Sequence, residues 1–138
     1  MNQKIKKCLV SCCLTGLPTR YDGICKPHSG CLAMLKDYTY IPVCPEQLGG
    51  LPTPRPAADI VGGDGFDVLR GRAAVMTVDK TDLSREFIAG ARTVLEIAQA
   101  QNIQLALLKS RSPSCASSTV PGVTAALLLE NDIQVIEF

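Results

Sequence analysis

The fold is decided by residues 84–108, which read SREFIAGARTVLEIAQAQNIQLALL. After Ser84, a residue type that caps helices, apolar residues recur at i, i+4, i+7 and i+8, and this pattern predicts an amphipathic helix. Asn102 is a suitable left-handed stop for that helix. Residues 104–108 are almost continuously apolar, which is typical of a strand buried inside a parallel sheet. The apolar positions of the helix are Phe87, Ile88, Ala91, Val94, Leu95 and Ala98.

The alternation of helices and strands continues in both directions along the chain. Residues 49–65 are so rich in Pro and Gly that no single regular element is expected there, and a functional segment is favoured over a linker. The remaining pattern predicts an α/β fold, with one domain over residues 1–138 and a mainly parallel, Rossmann-like sheet. The other predicted elements are strands at 6–13, 38–43, 73–78 and 133–136, a helix at 122–130, and a helix at 29–36 capped by Ser29 with Leu32 and Leu35 inward.

The composition excludes several classes of function. The 138 residues include 14 Lys+Arg and 13 Asp+Glu, so the net charge of +1 does not favour a nucleic-acid polymer as partner. Trp is absent and aromatic residues make up 4%, which argues against a platform for stacking bases. The apolar stretches fall short of the roughly 18–20 residues that span a bilayer, so no membrane partner is predicted.

The N-terminal residues and the cysteines predict a cytoplasmic protein. Residues 9–12 match a lipoprotein cleavage box, but Lys6 and Lys7 precede it directly and leave no apolar region of about 7–15 residues. The chain has seven cysteines, and an odd number does not favour a disulfide framework. We therefore expect reduced thiols, some of which bind a metal or take part in catalysis.

Three groups of cysteines follow predicted strands. Cys12 and Cys13 end the first strand, Cys44 ends the second, and Cys115 follows the strand at 104–108 after a short loop. Because the carboxyl ends of parallel strands share one edge of a sheet, these thiols can converge on one crevice. No CxxC pair is present, so dispersed thiols suit an iron–sulfur cluster better than a zinc ribbon. The alternative interpretation is that they are ordinary buried or loop cysteines.

Polar residues beside these cysteines form a second candidate group. Glu46 lies two residues after Cys44, and Lys109, Arg111 and Ser112 precede the last cysteine. Beside a metal crevice, they would supply a proton donor and acceptor and a rim that attracts anions. Each also has an ordinary explanation: Glu46 as a helix-start residue, the two cations as solvated side chains, and Ser112 as a turn residue before proline.

Two further features are assigned structural roles. Residues 62–65 read GGDG, which lacks the spacing of a phosphate-binding loop and predicts a turn. His28 is the single histidine, and its polar loop favours a surface position. Cys8, Cys25 and Cys31 are not expected to be metal ligands, because they lie away from the predicted strand ends.

The sequence resembles the bacterial family first catalogued as a domain of unknown function, whose studied members are iron–sulfur thiouracil desulfidases. The resemblance spans nearly the whole chain, and its proline- and glycine-rich run is highly specific. The matching segments are Leu9-Val10-Ser11 with Cys13-Leu14 and Gly16, then residues 20–23, 41–46 (IPVCPE), 48–56 (LGGLPTPRP), 60–65 (IVGGDG), 111–115 (RSPSC) and 122–128 (GVTAALL).

The resemblance implies a 4Fe–4S cluster with Cys13, Cys44 and Cys115 as ligands and one iron open to the sulfur of the substrate. It implies hydrolysis of a small thiolated base without net redox change, thiouracil becoming uracil and sulfide. The catalytic positions correspond to Glu46, for proton transfer, and Ser112, for a hydrogen bond. The candidate substrate-binding residues are Arg55, Lys109 and Arg111.

This sequence departs from the family pattern at three places, which keep alternatives open. Thr19 stands where relatives commonly have cysteine, and Cys12 offers a ligand beside Cys13. Strand alternation would let only one of that pair reach a cluster. The loop from Ala116 to Pro121 is shorter than in relatives, which favours a second interpretation as a non-catalytic metal- or nucleotide-binding module. A third and weaker interpretation is a thiol-redox protein that uses the adjacent Cys12 and Cys13. The sequence favours a monomer over an oligomer.

Overall fold

The computed structural model describes residues 5–110, 112–114 and 121–138, and its centre is a four-stranded parallel sheet. A 3-10 helix, Cys12–Thr15, follows the first strand directly. The strands are β1 (Lys7–Ser11), β2 (Thr39–Val43), β3 (Ala58–Val61), β4 (Ala74–Thr77), β5 (Leu105–Leu108) and β6 (Gln134–Glu137). The helices are α1 (Ser29–Leu35), α2 (Pro45–Leu48), α3 (Gly65–Leu69), α4 (Ser84–Ala100) and α5 (Val123–Glu130).

The strand order of the main sheet is β2-β1-β5-β6. The connection from β1 leads outward to β2 on one side, whereas β5 leads outward to β6 on the other. The strand order therefore reverses between β1 and β5, where open α/β sheets place their ligand crevice. The predicted α/β class with a mainly parallel sheet is confirmed, and the carboxyl ends of β1 and β5 mark where a site is expected.

Alternate residues of β1 face two different layers of the core. Leu9 packs with Val94 of α4 and Ala125 of α5 on one face of the sheet. Cys8 and Val10 pack on the opposite face in the cluster that contains α1 residues. Both faces are thus covered, which explains why the central strands read as continuous apolar runs rather than as alternating ones.

The α4–β5 unit agrees closely with the pattern of residues 84–108. Phe87 and Val94 are buried on the inner face of α4, as predicted. Asn102 adopts a positive φ of 54°, and Asp132 before β6 does the same with a φ of 60°. The junctions from α4 to β5 and from α5 to β6 therefore each contain one residue in the left-handed conformation. Ser84 is the first residue of α4 rather than its cap, and its Oγ accepts a hydrogen bond from the Val75 amide at 2.9 Å.

The proline- and glycine-rich segment contains one strand, β3, that the sequence analysis missed, and a second missed element, α3, begins at the end of the segment. β3 pairs with β4 as an antiparallel hairpin, so the strand predicted at 73–78 belongs to a separate two-stranded sheet. α3 begins after Asp64, whose side chain accepts from the Asp67 amide in a capping box. Proline and glycine flank the four residues of β3 rather than interrupt them, which is why composition hid this strand. At the predicted turn of residues 62–65, Gly62 has a φ of 90° and the chain leads into α3, whose first residue is Gly65.

The helix predicted at 29–36 is present, but its cap differs. His28 is exposed, as predicted, and its Nδ1 accepts a hydrogen bond from the Cys31 amide at 3.2 Å. Ser29 is therefore the first helical residue, not the cap. Leu35 is buried, whereas Leu32 is 37% exposed, so only one of the two predicted inward leucines reaches the core.

None of the helices within residues 5–110, 112–114 and 121–138 combines the length and the apolar character needed to cross a bilayer.

Candidate active site

A cavity of about 400 Å³ lies at the carboxyl ends of β1, β2 and β5. It holds six of the eight residues that the sequence analysis selected as candidates. Arg111 and Cys115 lie outside the described residues. The six candidates that line the cavity are Cys13, Cys44, Glu46, Arg55, Lys109 and Ser112.

The floor of the cavity is fixed by a contact between the ends of β1 and β5. The Oγ of Ser11, a residue only 2% exposed, accepts a hydrogen bond from the Lys109 amide at 3.0 Å. Beyond Ser11 the chain turns into the 3-10 helix, where the Thr15 hydroxyl donates to the Cys12 carbonyl at 2.7 Å. Gly16 ends this turn with a φ of 94°, in the left-handed region that glycine adopts without strain.

This turn corrects the prediction that β1 extends to residue 13. The strand ends at Ser11, so Cys12 and Cys13 do not alternate across a sheet. Both line the cavity, so strand alternation gives no reason for only one of them to reach a bound cluster. Cys12 is 8% exposed, whereas Cys13 is more open to solvent.

The thiols of this turn lie close enough to Cys44 to interact electrostatically. Burial raises the pKa of Cys12 to about 11, with further increases from Cys44 and Cys13. Burial and Cys44 also raise the pKa of Cys13, while the nearby charges of Lys109 and Arg20 oppose that rise. Without a bound cation both groups are therefore protonated thiols at neutral pH, and a positively charged metal site would favour their thiolate forms.

Cys44 is the cap residue of α2, directly after β2, as the strand pattern predicts. Pro45 occupies the first helical position, where its missing N–H is not needed. The Cys44 carbonyl accepts from the Leu48 amide at 2.9 Å. Its Sγ lies 3.8 Å from the Thr19 carbonyl oxygen, so the thiol contacts the loop after the 3-10 helix.

Glu46 lies in the single turn of α2 and forms an ion pair with Arg55. The Arg55 Nε donates to Glu46 Oε1 at 3.0 Å, and the two side chains are 4% and 16% exposed. The sequence analysis places Lys109 and Arg111 near this part of the site. The structure instead makes Arg55 the direct partner of the carboxylate. Within the described part of the chain, the second carboxylate oxygen of Glu46 has no hydrogen-bond partner.

Ser112 and Lys109 approach the cavity from the segment after β5. The Ser112 Oγ accepts from the Ser114 amide at 3.2 Å. The Lys109 Nζ lies 3.4 Å from both the carbonyl and the hydroxyl oxygen of Ser110. The segment after β5 thus adds a hydroxyl group and a positive charge to the cavity that the Cys44–Glu46 turn also lines.

Comparisons with known proteins identify the family. A sequence profile of the 2-thiouracil desulfurase family matches residues 8–137. The chain belongs to that family. It is 37% identical over 140 aligned positions to the uncharacterized protein YbbK of Bacillus subtilis (strain 168), with 93% of each chain covered. The solved structure of the 4Fe-4S-dependent thiouracil desulfidase TudS matches with a TM-score of 0.80 and 38% identity, over 96% of this chain and 90% of TudS.

In this 2-thiouracil desulfurase family member, the cavity wall also includes polar residues that were not selected as candidates, among them Arg20, Thr19 and Asp59. Arg20 lines the cavity and forms two hydrogen bonds with Asp22, at 3.0 and 3.1 Å. Thr19 contributes its carbonyl oxygen, and Asp59 of β3 reaches the cavity from the hairpin. The motif at 20–23 was a usable signal for Arg20. Thr19 acts through its backbone, and Asp59 depends on a strand that composition concealed, so neither was readable from the sequence.

Close packing between α2 and α4 holds the Cys44–Glu46 turn in place. A methyl group on Gly90 would collide with the Pro45 carbonyl oxygen, and one on Gly49 with the Glu86 carbonyl oxygen. Side-chain-free positions on both elements therefore allow the two backbones to touch.

Gly90→Ala is expected to push α2 away from α4. The overpacking should cost about 1–3 kcal/mol of stability, lower the melting temperature by several degrees, and reduce iron uptake on anaerobic reconstitution. Arg92→Ala, on the exposed side of α4, is the control and should change neither quantity. An unchanged melting temperature and normal iron content for Gly90→Ala would show that the contact does not support the site.

The remaining described cysteines lie away from the cavity. Cys8 and Cys31 are fully buried in one core cluster. Burial raises the pKa of Cys8 to about 11, with a smaller increase from the nearby Cys31. Cys25 is exposed on the loop before α1.

We expect Cys8→Ser, Cys25→Ser and Cys31→Ser, made one at a time, to leave iron per folded chain unchanged. Cys25→Ser should also leave the melting temperature unchanged, whereas the two buried changes should lower it, because each places a hydroxyl in an apolar core. Iron content and thermal unfolding measure the two effects separately. Loss of iron from folded Cys25→Ser or Cys31→Ser would point to a different metal site.

Proposed function

We propose that this protein hydrolyses a small thiolated nucleobase, converting thiouracil and water to uracil and hydrogen sulfide, with a 4Fe–4S cluster held by Cys13, Cys44 and Cys115. The observation that carries the proposal is that Cys13, Cys44, Glu46 and Ser112 line one cavity. Membership of the 2-thiouracil desulfurase family and the similarity to TudS support it.

The described residues fit such a cluster by the chemistry of their donors. Cys13 and Cys44 bring two thiols to the same cavity, and iron–sulfur clusters are held by cysteine thiolates. Within residues 5–110, 112–114 and 121–138, no group of three His, Cys, Asp or Glu side chains is arranged to hold a metal ion. The third thiol is assigned to Cys115, which comes two residues after Pro113 in the sequence, and both Ser112 and Pro113 lie in the cavity wall.

When bound, a cluster with three cysteine ligands supplies an iron that attracts sulfur and draws electron density from the carbon–sulfur bond. The protein's own residues supply the proton transfers. Glu46 has one oxygen held by Arg55 and one without a protein partner in the described residues, so it can accept a proton from the attacking water. The same group then returns a proton to the departing sulfur or to a ring nitrogen.

Ser112 and Lys109 are assigned to binding the substrate on the opposite wall. The Ser112 hydroxyl hydrogen-bonds a ring nitrogen or the water, and the Lys109 ammonium faces the ring carbonyl. Arg111, outside the described residues, is assigned with them from its place beside Ser112. Arg20 and Arg55 are each paired with a carboxylate. The charges of these two arginines are therefore neutralised by protein carboxylates, which supports a neutral base as the substrate.

The size of the cavity and the thiol chemistry support the same conclusion. About 400 Å³ lies toward the lower end of the roughly 300–1,000 Å³ of small-molecule sites, in keeping with one single-ring base. Reduced thiols and an exposed cluster require a reducing compartment, so we assign the protein to the cytoplasm.

The deciding experiment is anaerobic reconstitution of the wild-type protein with iron and sulfide. Iron, sulfide and the loss of thiouracil are then measured on one sample, with cluster-free protein as control. Cluster absorbance together with the release of uracil and sulfide supports the proposed reaction. A stable cluster without turnover identifies a non-catalytic metal-binding module, the alternative that the short loop at 116–121 favours. Absence of iron contradicts both.

A further inference from the structure

The Arg55 guanidinium lies in the cavity wall but is committed to protein contacts. Its side chain is 4% exposed. An arginine has five N–H donors, and each of the five in Arg55 faces an acceptor in the described residues. The contacts are Nε to Glu46 Oε1 (3.0 Å), Nη1 to the Pro52 carbonyl (3.2 Å) and Thr53 Oγ1 (2.9 Å), and Nη2 to the Thr19 carbonyl (2.9 Å) and Cys44 Sγ (4.0 Å).

These contacts join three segments that are distant in sequence. One guanidinium connects the loop at Thr19, the turn that carries Cys44 and Glu46, and its own segment at 52–55. The Arg55 amide adds a fourth connection by donating to the Tyr21 carbonyl at 2.7 Å. Because no N–H donor is left over, Arg55 has none to offer a substrate. This geometry does not suit the substrate-binding role that the sequence analysis predicted for Arg55.

We infer that Arg55 is a positioning residue, which fixes the Glu46 carboxylate and the Cys44 thiol relative to each other; the inference rests on the proposed function. Glu46 stands on a helix of a single turn, so its backbone alone does not fix its three side-chain torsions. The bond to Nε fixes one oxygen, and the other oxygen, which has no hydrogen-bond partner in the described residues, is available for proton transfer. Proton transfer needs heavy atoms within hydrogen-bond reach, and a misplacement of about 1 Å costs about 10²-fold in rate.

Arg55→Lys is the sharpest test, because it keeps the charge and removes the planar guanidinium that binds several acceptors at once. For reconstituted Arg55→Lys we expect kcat to fall by about 10²-fold while KM stays within about 3-fold. Iron loss to a chelator should be several-fold faster, since Cys44 loses a contact, and this readout does not depend on turnover. Arg70→Lys is the matched control. The Arg70 Nη2 lies 2.7 Å from Glu130 Oε1, and this ion pair does not line the cavity.

A double variant separates action through Glu46 from a general effect on the fold. If Arg55 acts by positioning Glu46, then kcat of Glu46→Gln/Arg55→Lys should equal that of Glu46→Gln within about 2-fold. Fully multiplicative losses would overturn the inference, as would a raised KM with unchanged kcat, which is the signature of a substrate-binding role.

Thr53→Val keeps the test decisive if Arg55→Lys fails to fold. It removes one acceptor of Nη1 without removing the charge, so a smaller fall in kcat with unchanged KM is expected. Gln47→Ala is its control, because the Gln47 amide also donates to Thr53 Oγ1, at 2.7 Å, but does not line the cavity. An unchanged kcat for Thr53→Val would overturn the inference. If the cluster-loaded wild type leaves thiouracil intact, the proposed function is wrong. In that case the rate of iron loss still tests the role of Arg55: equal rates for the wild type and Arg55→Lys would overturn this inference.

Discussion

Replacing Cys13, Cys44 or Cys115 singly by alanine is expected to abolish stable iron incorporation. With three cysteines holding a cluster that keeps one iron open, removing any one thiolate leaves two iron atoms without a protein ligand. Cysteine thiolates supply the bonds that hold such clusters, so the remaining pair should not retain one. Iron and acid-labile sulfide per chain, measured after anaerobic reconstitution together with visible absorbance, test this directly.

Cys12→Ala is the matched control for the cysteine variants. Cys12 lies in the same 3-10 turn as Cys13 and lines the same cavity, but it is more deeply buried. We expect it to keep full iron and sulfide. Full incorporation in two of the three ligand variants would refute the ligand set. Loss of iron in Cys12→Ala, with retention in Cys13→Ala, would transfer that ligand position to Cys12.

The parallel sheet was predictable because its pattern is local. The α4–β5 stretch carries a helical period, a left-handed stop at Asn102 and an apolar strand in that order. Each signal acts over a few residues and agrees with its neighbours. The β3–β4 hairpin was not predictable in the same way, since a strand of four residues between Pro56 and Gly62 has too few positions to show a period. Its pairing depends on packing against the cluster around Val75 and Phe87.

In the candidate site, too, the residues that follow a local pattern were predicted and the contacts between distant residues were not. Cys44 and Glu46 were found because each stands at a fixed offset from a strand end, and parallel strands bring such offsets together. The pairing of Arg55 with Glu46 was not readable, because eight residues lie between them, most of them outside any helix or strand, and no periodic rule relates their side chains. Strand alternation failed at Cys12 and Cys13 because the chain leaves the sheet after Ser11, two residues before the predicted end of the strand.

Glu46→Gln is expected to lower the rate of thiouracil hydrolysis roughly 10²–10⁴-fold, the usual contribution of general acid–base catalysis, while cluster absorbance persists. Glutamine keeps the size of the side chain, and its carbonyl oxygen can still accept from Arg55 Nε, so the geometry of the wall is conserved. What disappears is the ability to take a proton from water. Ser112→Ala should cost less if that residue only orients the substrate through one hydrogen bond.

Glu130→Gln is the matched control for Glu46→Gln. It makes the same chemical change in another glutamate paired with an arginine, at 2.7 Å from Arg70 and away from the cavity. Because Glu46→Gln leaves the charge of the buried Arg55 unbalanced, the melting temperature is expected to fall, and rates should be compared well below the unfolding temperatures of both proteins.

Near-normal turnover of Glu46→Gln with an intact cluster would exclude Glu46 as the proton-transfer residue. Loss of cluster and activity together would make Glu46 structural, and the base would then have to be sought elsewhere in the cavity wall, where Asp59 is the remaining carboxylate among the described lining residues.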